Sequence, residues 1–180
     1  MSHNAGDLIV TARPGATSGT LNAFGKSYPC ALGRSGIVAE KREGDGGTPL
    51  GRWPIRELRY RADRITGLRT GLSAQPIEAD QGWCDAADDP AYNRQVRLPY
   101  AAAHEKLWRD DHLYDLVVVL GYNDAPVVPG AGSAIFFHLA RPAGDGFAPT
   151  EGCVAVARDD MLEILRQLTS DHFIRIRISD

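Results

Sequence analysis

Two side chains in the C-terminal third of this 180-residue chain could carry out nucleophilic chemistry together: the thiol of Cys153 and the imidazole of His138. The segment between them, Leu139 to Gly152, contains Pro142, Gly144, Gly146 and Pro149 and reads as a flexible connector between two strands. Strands joined in this way can bring a thiol and an imidazole within hydrogen-bond reach. The chemistry needs both groups. The thiolate is the nucleophile, and a free cysteine, with a pKa of about 8.5, is mostly protonated at neutral pH. A nearby imidazole can take that proton and return it to a leaving amine. Gly152, directly before the cysteine, clears space for a substrate carbonyl and lets backbone N–H groups turn towards a developing oxyanion. Considered singly, a cysteine followed by Val154 and Ala155 is more often a small core residue, as is a histidine ending an apolar strand. The combination Thr150-Glu151-Gly152-Cys153, with a glycine-rich segment upstream, favours the catalytic reading.

Two arginines, Arg94 and Arg141, are the basic residues expected near a cleft, where a guanidinium fork pairs with substrate carboxylates. Either one alone reads more readily as a solvated surface charge. Trp83-Cys84-Asp85 and Tyr92-Asn93-Arg94 fall in a segment, Asp80 to Arg97, whose Asp, Ala and Pro content suggests a loop rather than a strand. That loop either packs a few aromatics on the surface or touches substrate. Tyr122 is a further candidate contact, though its setting suits a packed aromatic. The run Glu105 to His112 carries both signs of charge and reads as a solvated element. His104, Asp110 and His112 match no zinc spacing, so neither a metal nor any other cofactor is expected.

The elements that must position these groups are partly legible. Leu8 to Ala12 reads as a strand ended by Pro14-Gly15, and Tyr28 to Glu40 as a hairpin broken at Gly33 and Gly36. Gly44-Asp-Gly-Gly-Thr-Pro-Leu-Gly51 can be neither helix nor strand interior and is a shaped loop. Arg52 to Arg61 is a candidate strand, while Ile65 to Gly82 carries no clear pattern. Asp115 to Tyr122 is a continuous apolar, β-branched run, the signature of a strand buried on both faces. Ala134 to His138 is a second strand and Cys153 to Val156 a short third. Asp159 or Asp160 could cap a helix whose face carries Met161, Leu162, Ile164, Leu165 and Leu168. Phe173 to Ile178 alternates as a strand with one wet face. The expectation is one mostly-β domain over residues 1–180, a β-sandwich or barrel-like fold with one or two packed helices.

Composition narrows the function classes. Apolar residues make up 43% and charged residues 24% of the chain, with a net charge of −3 and no run of like charge, which argues against a nucleic-acid arm or a polybasic membrane patch. No stretch approaches the roughly 18 apolar residues of a membrane span. MSHNAGDLIVTARPG lacks a basic start and an apolar run of about 7–15 residues, so the expected location is cytoplasmic. Three cysteines without a C-x-x-C pair leave at least one free thiol, and all three in a reducing compartment.

Ala134-Ile-Phe-Phe-His138, followed by Pro149-Thr-Glu-Gly-Cys153-Val-Ala-Val156, resembles the signature of the L,D-transpeptidase (YkuD-like) catalytic-domain family. Gly44 to Gly51 is similar to that family's Thr-Pro-x-Gly cleft loop, and Val118-Val-Leu-Gly-Tyr-Asn123 fits its central strand. The resemblance runs from about Leu8 to about Leu168. It implies a mostly-β fold and cleavage of the meso-diaminopimelate–D-alanine bond in peptidoglycan stem peptides through an acyl-cysteine. Cys153 would be the nucleophile, His138 the base and the Gly152 region the oxyanion hole. Thr150, Glu151, Arg141, Tyr122 and Arg94 form the candidate substrate-binding set. Two departures stand out: Glu151 replaces a second histidine, and Ala155 stands where the family tends to place Arg or Asn. Together with the cytoplasmic expectation, they favour an L,D-carboxypeptidase acting on tetrapeptides or muropeptides in murein recycling. The alternatives are a transpeptidase that cross-links or exchanges D-amino acids, a non-catalytic muropeptide-binding module, and a zinc hydrolase using Cys84, Cys153 and His138. The oligomeric state is left open.

Overall fold

The computed structural model describes residues 6–179. β1 (Leu8–Ala12) runs antiparallel to β2 (Ser18–Ala23), which turns at Phe24-Gly25 into β3 (Lys26–Ala31). Both turn residues have positive φ, 50° and 78°, the two-residue turn whose twist matches that of the flanking strands. The short β4 (Ile37–Val38) pairs with β5 (Thr48–Pro49), pinning the glycine-rich segment between them, and the long β6 (Gly51–Tyr60) follows. β7 (Ala74–Pro76) lies parallel to the end of β6. Then β8 (Gln81–Cys84), β9 (Gln95–Arg97) and β10 (His104–Lys106) make a separate three-stranded sheet with β8 in the middle. The chain continues through β11 (Leu116–Leu120), β12 (Phe136–Leu139), a small ribbon of β13 (Pro142–Ala143) and β14 (Gly146–Phe147), and β15 (Val154–Val156). The helix α1 (Arg158–Leu165) and β16 (Phe173–Ile178) close it.

Eight strands close on themselves in the order β11-β12-β15-β3-β2-β1-β16-β6, with β6 hydrogen-bonded back to β11. Closure removes the unpaired edges an open sheet would present. The barrel-like expectation therefore holds. Alternation then divides the side chains of β11 between two cores. Leu116, Val118 and Leu120 join the barrel core with Val10, Leu58, Phe137, Val154 and Ile174. Val117 and Val119 point the other way, into a second core with Ile77, Leu107, Tyr114, Phe136 and Cys153. Trp83 and Trp108 pack against this second core, so the small sheet is held on the barrel's outer face. Burial on both faces is why β11 reads as an unbroken apolar run.

The pairing of β12 with β15 is parallel, with His138 opposite Ala155 and Phe137 opposite Val154. A parallel pair cannot be joined by a tight turn, so residues 140–153 must carry the chain back to the same end of the barrel. That return places Cys153 beside Phe136, on the same outward face as His138.

Several expectations need correction. The hairpin is built from Ser18–Ala23 and Lys26–Ala31, not from residues 28–40; the polar Ser, Gly, Thr and Asn of β2 hide a strand whose inner face is carried by Leu21 and Ala23. Asp80 to Arg97 is bounded by the strands β8 and β9, because Gln81, Cys84 and Val96 are buried against the barrel. The N-cap of α1 is Ala157, with no side-chain cap, so neither Asp159 nor Asp160 caps it. Those aspartates lie in the first turn, where they complement the positive end of the helix. Met161, Ile164 and Leu165 bury one face of this single helix, and Leu168 joins them from the turn beyond.

Candidate active site

Cys153 and His138 line one cleft of about 550 Å3. Both are nearly sealed, at 7% and 6% exposure. The thiol donates to the Ala134 carbonyl at 3.3 Å and accepts the Phe136 N–H at 3.3 Å. The ring nitrogen Nδ1 of His138 lies 2.9 Å from the carbonyl oxygen of Leu139. A carbonyl only accepts, so the Nδ1 nitrogen carries the proton and Nε2 keeps a free lone pair, the form a base requires. The edge-to-face packing of Tyr114 on the imidazole, 5.1 Å between centroids, holds the ring's orientation. Burial pulls the His138 pKa down to about 4 and pushes the Cys153 thiol up to about 12. At rest the pair is therefore neutral, thiol and imidazole rather than thiolate and imidazolium. To transfer its proton, the thiol must leave the Ala134 carbonyl and turn to Nε2.

The nucleophile's loop is braced on all sides. Thr150 Oγ1 donates to the Cys153 carbonyl at 2.7 Å and accepts the Gly152 N–H at 3.2 Å. Thr150 also exchanges backbone hydrogen bonds with Leu32 and Arg34 on the neighbouring segment. Gly152 has φ +137°, and a Cβ there would lie 2.8 Å from the Gly47 carbonyl oxygen. Only glycine lets the two loops come this close. Asn93 ties the small sheet to the site. Its Oδ1 accepts the Ala134 N–H at 3.0 Å and the Trp83 indole N–H at 2.9 Å, while its Nδ2 donates to the carbonyls of Tyr122 and Asn123. These bonds hold Ala134 at φ 51°, an uncommon backbone state for a residue with a side chain, and so aim the carbonyl that receives the thiol.

The cleft is ionic. Glu43 accepts hydrogen bonds from Tyr92 and from Ser133. Asp85 has one oxygen buried without a partner, and burial followed by the Glu43 charge raises its pKa. Glu105 is also raised, chiefly by burial; its Oε1 accepts the Tyr114 hydroxyl at 2.6 Å and lies 3.7 Å from Arg109. Behind the lining, Asp111 pairs with the cleft residues Arg109, at 2.5 Å, and Arg141, at 3.3 Å. The Arg109 bond holds the Asp111 carboxyl down at about 2.

Of the substrate-contact candidates, Thr150, Glu151 and Arg141 line this cleft. The Glu151 carboxylate is 81% exposed and is held by Arg34 at 2.9 Å. Arg34 also donates to the Gly44 carbonyl, so it staples the glycine-rich loop to the nucleophile's loop. Tyr122 lies outside the lining: its hydroxyl donates to Ala131 and its ring packs edge-on against Trp53. Arg94 borders a second, smaller cavity of about 200 Å3 beside Trp83 and Phe136. Glu43 is a cleft residue that the sequence reading did not single out, while Asp85 comes from the Trp83-Cys84-Asp85 motif that it did. The run Glu105 to His112, read as solvated, instead supplies Glu105, Leu107 and Arg109 to the cleft and to the core beneath it. Among the described residues, no group of three or more His, Cys, Asp or Glu side chains is arranged to hold a metal ion, and Cys84 lies away from the cleft lining.

Residues 22–176 match the family YkuD, described as the L,D-transpeptidase catalytic domain. No curated protein matches. Among solved structures, L,D-transpeptidase 1 of Mycobacterium tuberculosis aligns at 12% identity and a TM-score of 0.38, covering 96% of this chain and 62% of that one.

Proposed function

From the premise that the chain belongs to the YkuD family of L,D-transpeptidase catalytic domains, we propose that it cleaves the meso-diaminopimelate–D-alanine bond of peptidoglycan stem tetrapeptides as an L,D-carboxypeptidase, with water as the final acceptor. The observation that carries this reading is the juxtaposition of a cysteine thiol and a tautomer-fixed imidazole in one cleft. In the first half-reaction the Cys153 proton passes to His138 Nε2 as sulfur attacks the carbonyl. The same proton then goes to the departing amine of D-alanine, leaving an acyl-cysteine. Arg109 and Arg141 at the cleft wall suit the free terminal carboxylate that distinguishes a tetrapeptide end from a chain interior. A pure binding module would need neither thiol nor base. The proposed setting is cytoplasmic turnover of soluble wall fragments; among the described residues no helix is long and apolar enough to cross a membrane.

The test is incubation of the purified protein with a disaccharide tetrapeptide, with and without a D-amino acid, followed by mass spectrometry. Tripeptide and free D-alanine are the expected products. Dimeric peptides or D-amino-acid exchange products would make the protein a transpeptidase. Unchanged tetrapeptide with measurable binding would make it a muropeptide-binding module.

A further inference from the structure

Glu151, the carboxylate nearest in sequence to Cys153, is turned to solvent and paired with Arg34. Another carboxylate is better placed. Glu105 projects from β10 into the cleft shared by Cys153 and His138. One of its oxygens is anchored: the Tyr114 hydroxyl at 2.6 Å and Arg109 at 3.7 Å both address Oε1, which leaves Oε2 for a water. The anchor is rigid, because Tyr114 is itself buried against His138 and Phe136. The other cleft carboxylates are placed less well. Glu43 is bonded to Tyr92 and Ser133 rather than to the tyrosine packed on His138, and one oxygen of Asp85 is sealed off without a partner.

We propose that Glu105 is the general base of the second half-reaction, accepting a proton from the water that attacks the acyl-Cys153 carbonyl. The inference rests on the hydrolytic reading above and gives its second half-reaction a base distinct from His138. The water oxygen bonds to the acyl carbon as its proton moves to Glu105 Oε2. The tetrahedral species then collapses, the C–S bond breaks with its electron pair going to sulfur, and Glu105 returns the proton to the thiolate. Tripeptide acid leaves, and thiol and carboxylate are regenerated.

The electrostatics order the two halves. After burial, the charge of Glu105 is the largest influence holding the Cys153 thiol protonated, against the Phe136 N–H and the Lys41 charge, and Glu151 adds less than Glu105. In the free enzyme the Glu105 charge opposes formation of the thiolate, and sulfur rests as a neutral thiol. In the acyl-enzyme no thiolate forms until the C–S bond breaks, by which time Glu105 has taken the proton of water and is neutral. Burial keeps its basicity above that of an ordinary carboxylate, which improves proton transfer from water.

This arrangement predicts opposite effects of one substitution. Glu105→Gln retains an oxygen to accept the Tyr114 hydroxyl but loses the charge. Alkylation of Cys153 by iodoacetamide at pH 8 should become several-fold faster, about 3- to 10-fold. Turnover of the disaccharide tetrapeptide should fall by about 10²-fold or more, with one equivalent of D-alanine released in a burst and the acyl-enzyme accumulating in the intact-mass spectrum. Glu105→Asp keeps the charge and should recover part of the hydrolysis while alkylating close to the wild-type rate; it also serves as the test should the Gln variant not fold. Wild-type turnover alongside a folded Gln variant showing neither change overturns the inference alone. A wild-type protein that releases no D-alanine overturns the functional reading and this inference with it.

Discussion

At rest the Cys153 thiol is protonated and bonded to a backbone carbonyl, so its reactivity is governed by access and by pH. Cys30, at 1% exposure in the barrel core, and Cys84, fully buried under the small sheet, lack even the access. Cys153→Ala is expected to lower D-alanine release on the order of 10³-fold or more, while Cys30→Ala and Cys84→Ala retain most of it. Iodoacetamide should label Cys153 first in peptide maps. Its rate should climb about tenfold per pH unit from pH 6 to 9, as the thiolate fraction does well below the thiol's pKa. A rate plateau near neutral pH would instead show a preformed thiolate–imidazolium pair. That Cys153 and His138 would come together was legible in the sequence because each sits within a short stretch whose local pattern stands out. Glu105 and Arg109 were not. Glu105 sits on a three-residue strand, too short for alternation to show, Arg109 lies in the irregular segment beyond it, and only the docking of one sheet on another brings them to the cleft.

Between elements, the site depends on loops that approach more closely than side chains permit. A Cβ on Gly33 would lie 2.1 Å from the Gly46 carbonyl oxygen, and one on Gly152 would lie 2.8 Å from that of Gly47. At Gly152 the φ of +137° adds backbone strain, worth about 1–3 kcal/mol for a residue with a side chain. Gly152→Ala and Gly33→Ala should each lower thermal stability measurably, and Gly152→Ala should also abolish turnover by moving the nucleophile's loop. Gly144→Ala is the control for positive φ alone: its backbone has φ 56°, but a Cβ there meets nothing within 4 Å. If Gly33→Ala proved no worse than that control by calorimetry, loop approach would not be what fixes the site. The glycine-rich segment was recognisable as a shaped loop, but its partner was not, since nothing local indicates that Gly47 stacks on Gly152. The β2 strand escaped notice for a related reason: its polar outer residues leave no apolar run, and barrel closure is what buries Leu21 and Ala23.

Across the whole molecule, the cleft sits between a closed barrel and a smaller sheet, and the proposed base His138 is buried there as a neutral imidazole at the cost of stability at low pH. His138 is held neutral, with its pKa lowered from an ordinary 6.5 to about 4. As pH falls below 6.5, the unfolded chain takes up a proton at this residue while the folded one does not. Stability is therefore full above that value and lost as pH falls towards 4. At about 1.4 kcal/mol per unit, the loss by pH 4.5 is about 2–3 kcal/mol from this group. Other groups act elsewhere or oppose it. The lowered Asp111 removes stability only nearer pH 2, and the raised Glu105 works in the opposite direction, costing less as it becomes protonated. The single contribution is isolated by comparing the wild type with His138→Gln, which has no proton to gain. Urea unfolding at pH 7.5 and pH 4.5 should show the wild type losing about 2–3 kcal/mol more than the variant over that interval. Parallel losses in the two proteins would mean that the folded protein takes up a proton at His138 as readily as the unfolded chain, and the lowering of its pKa by burial would have to be abandoned.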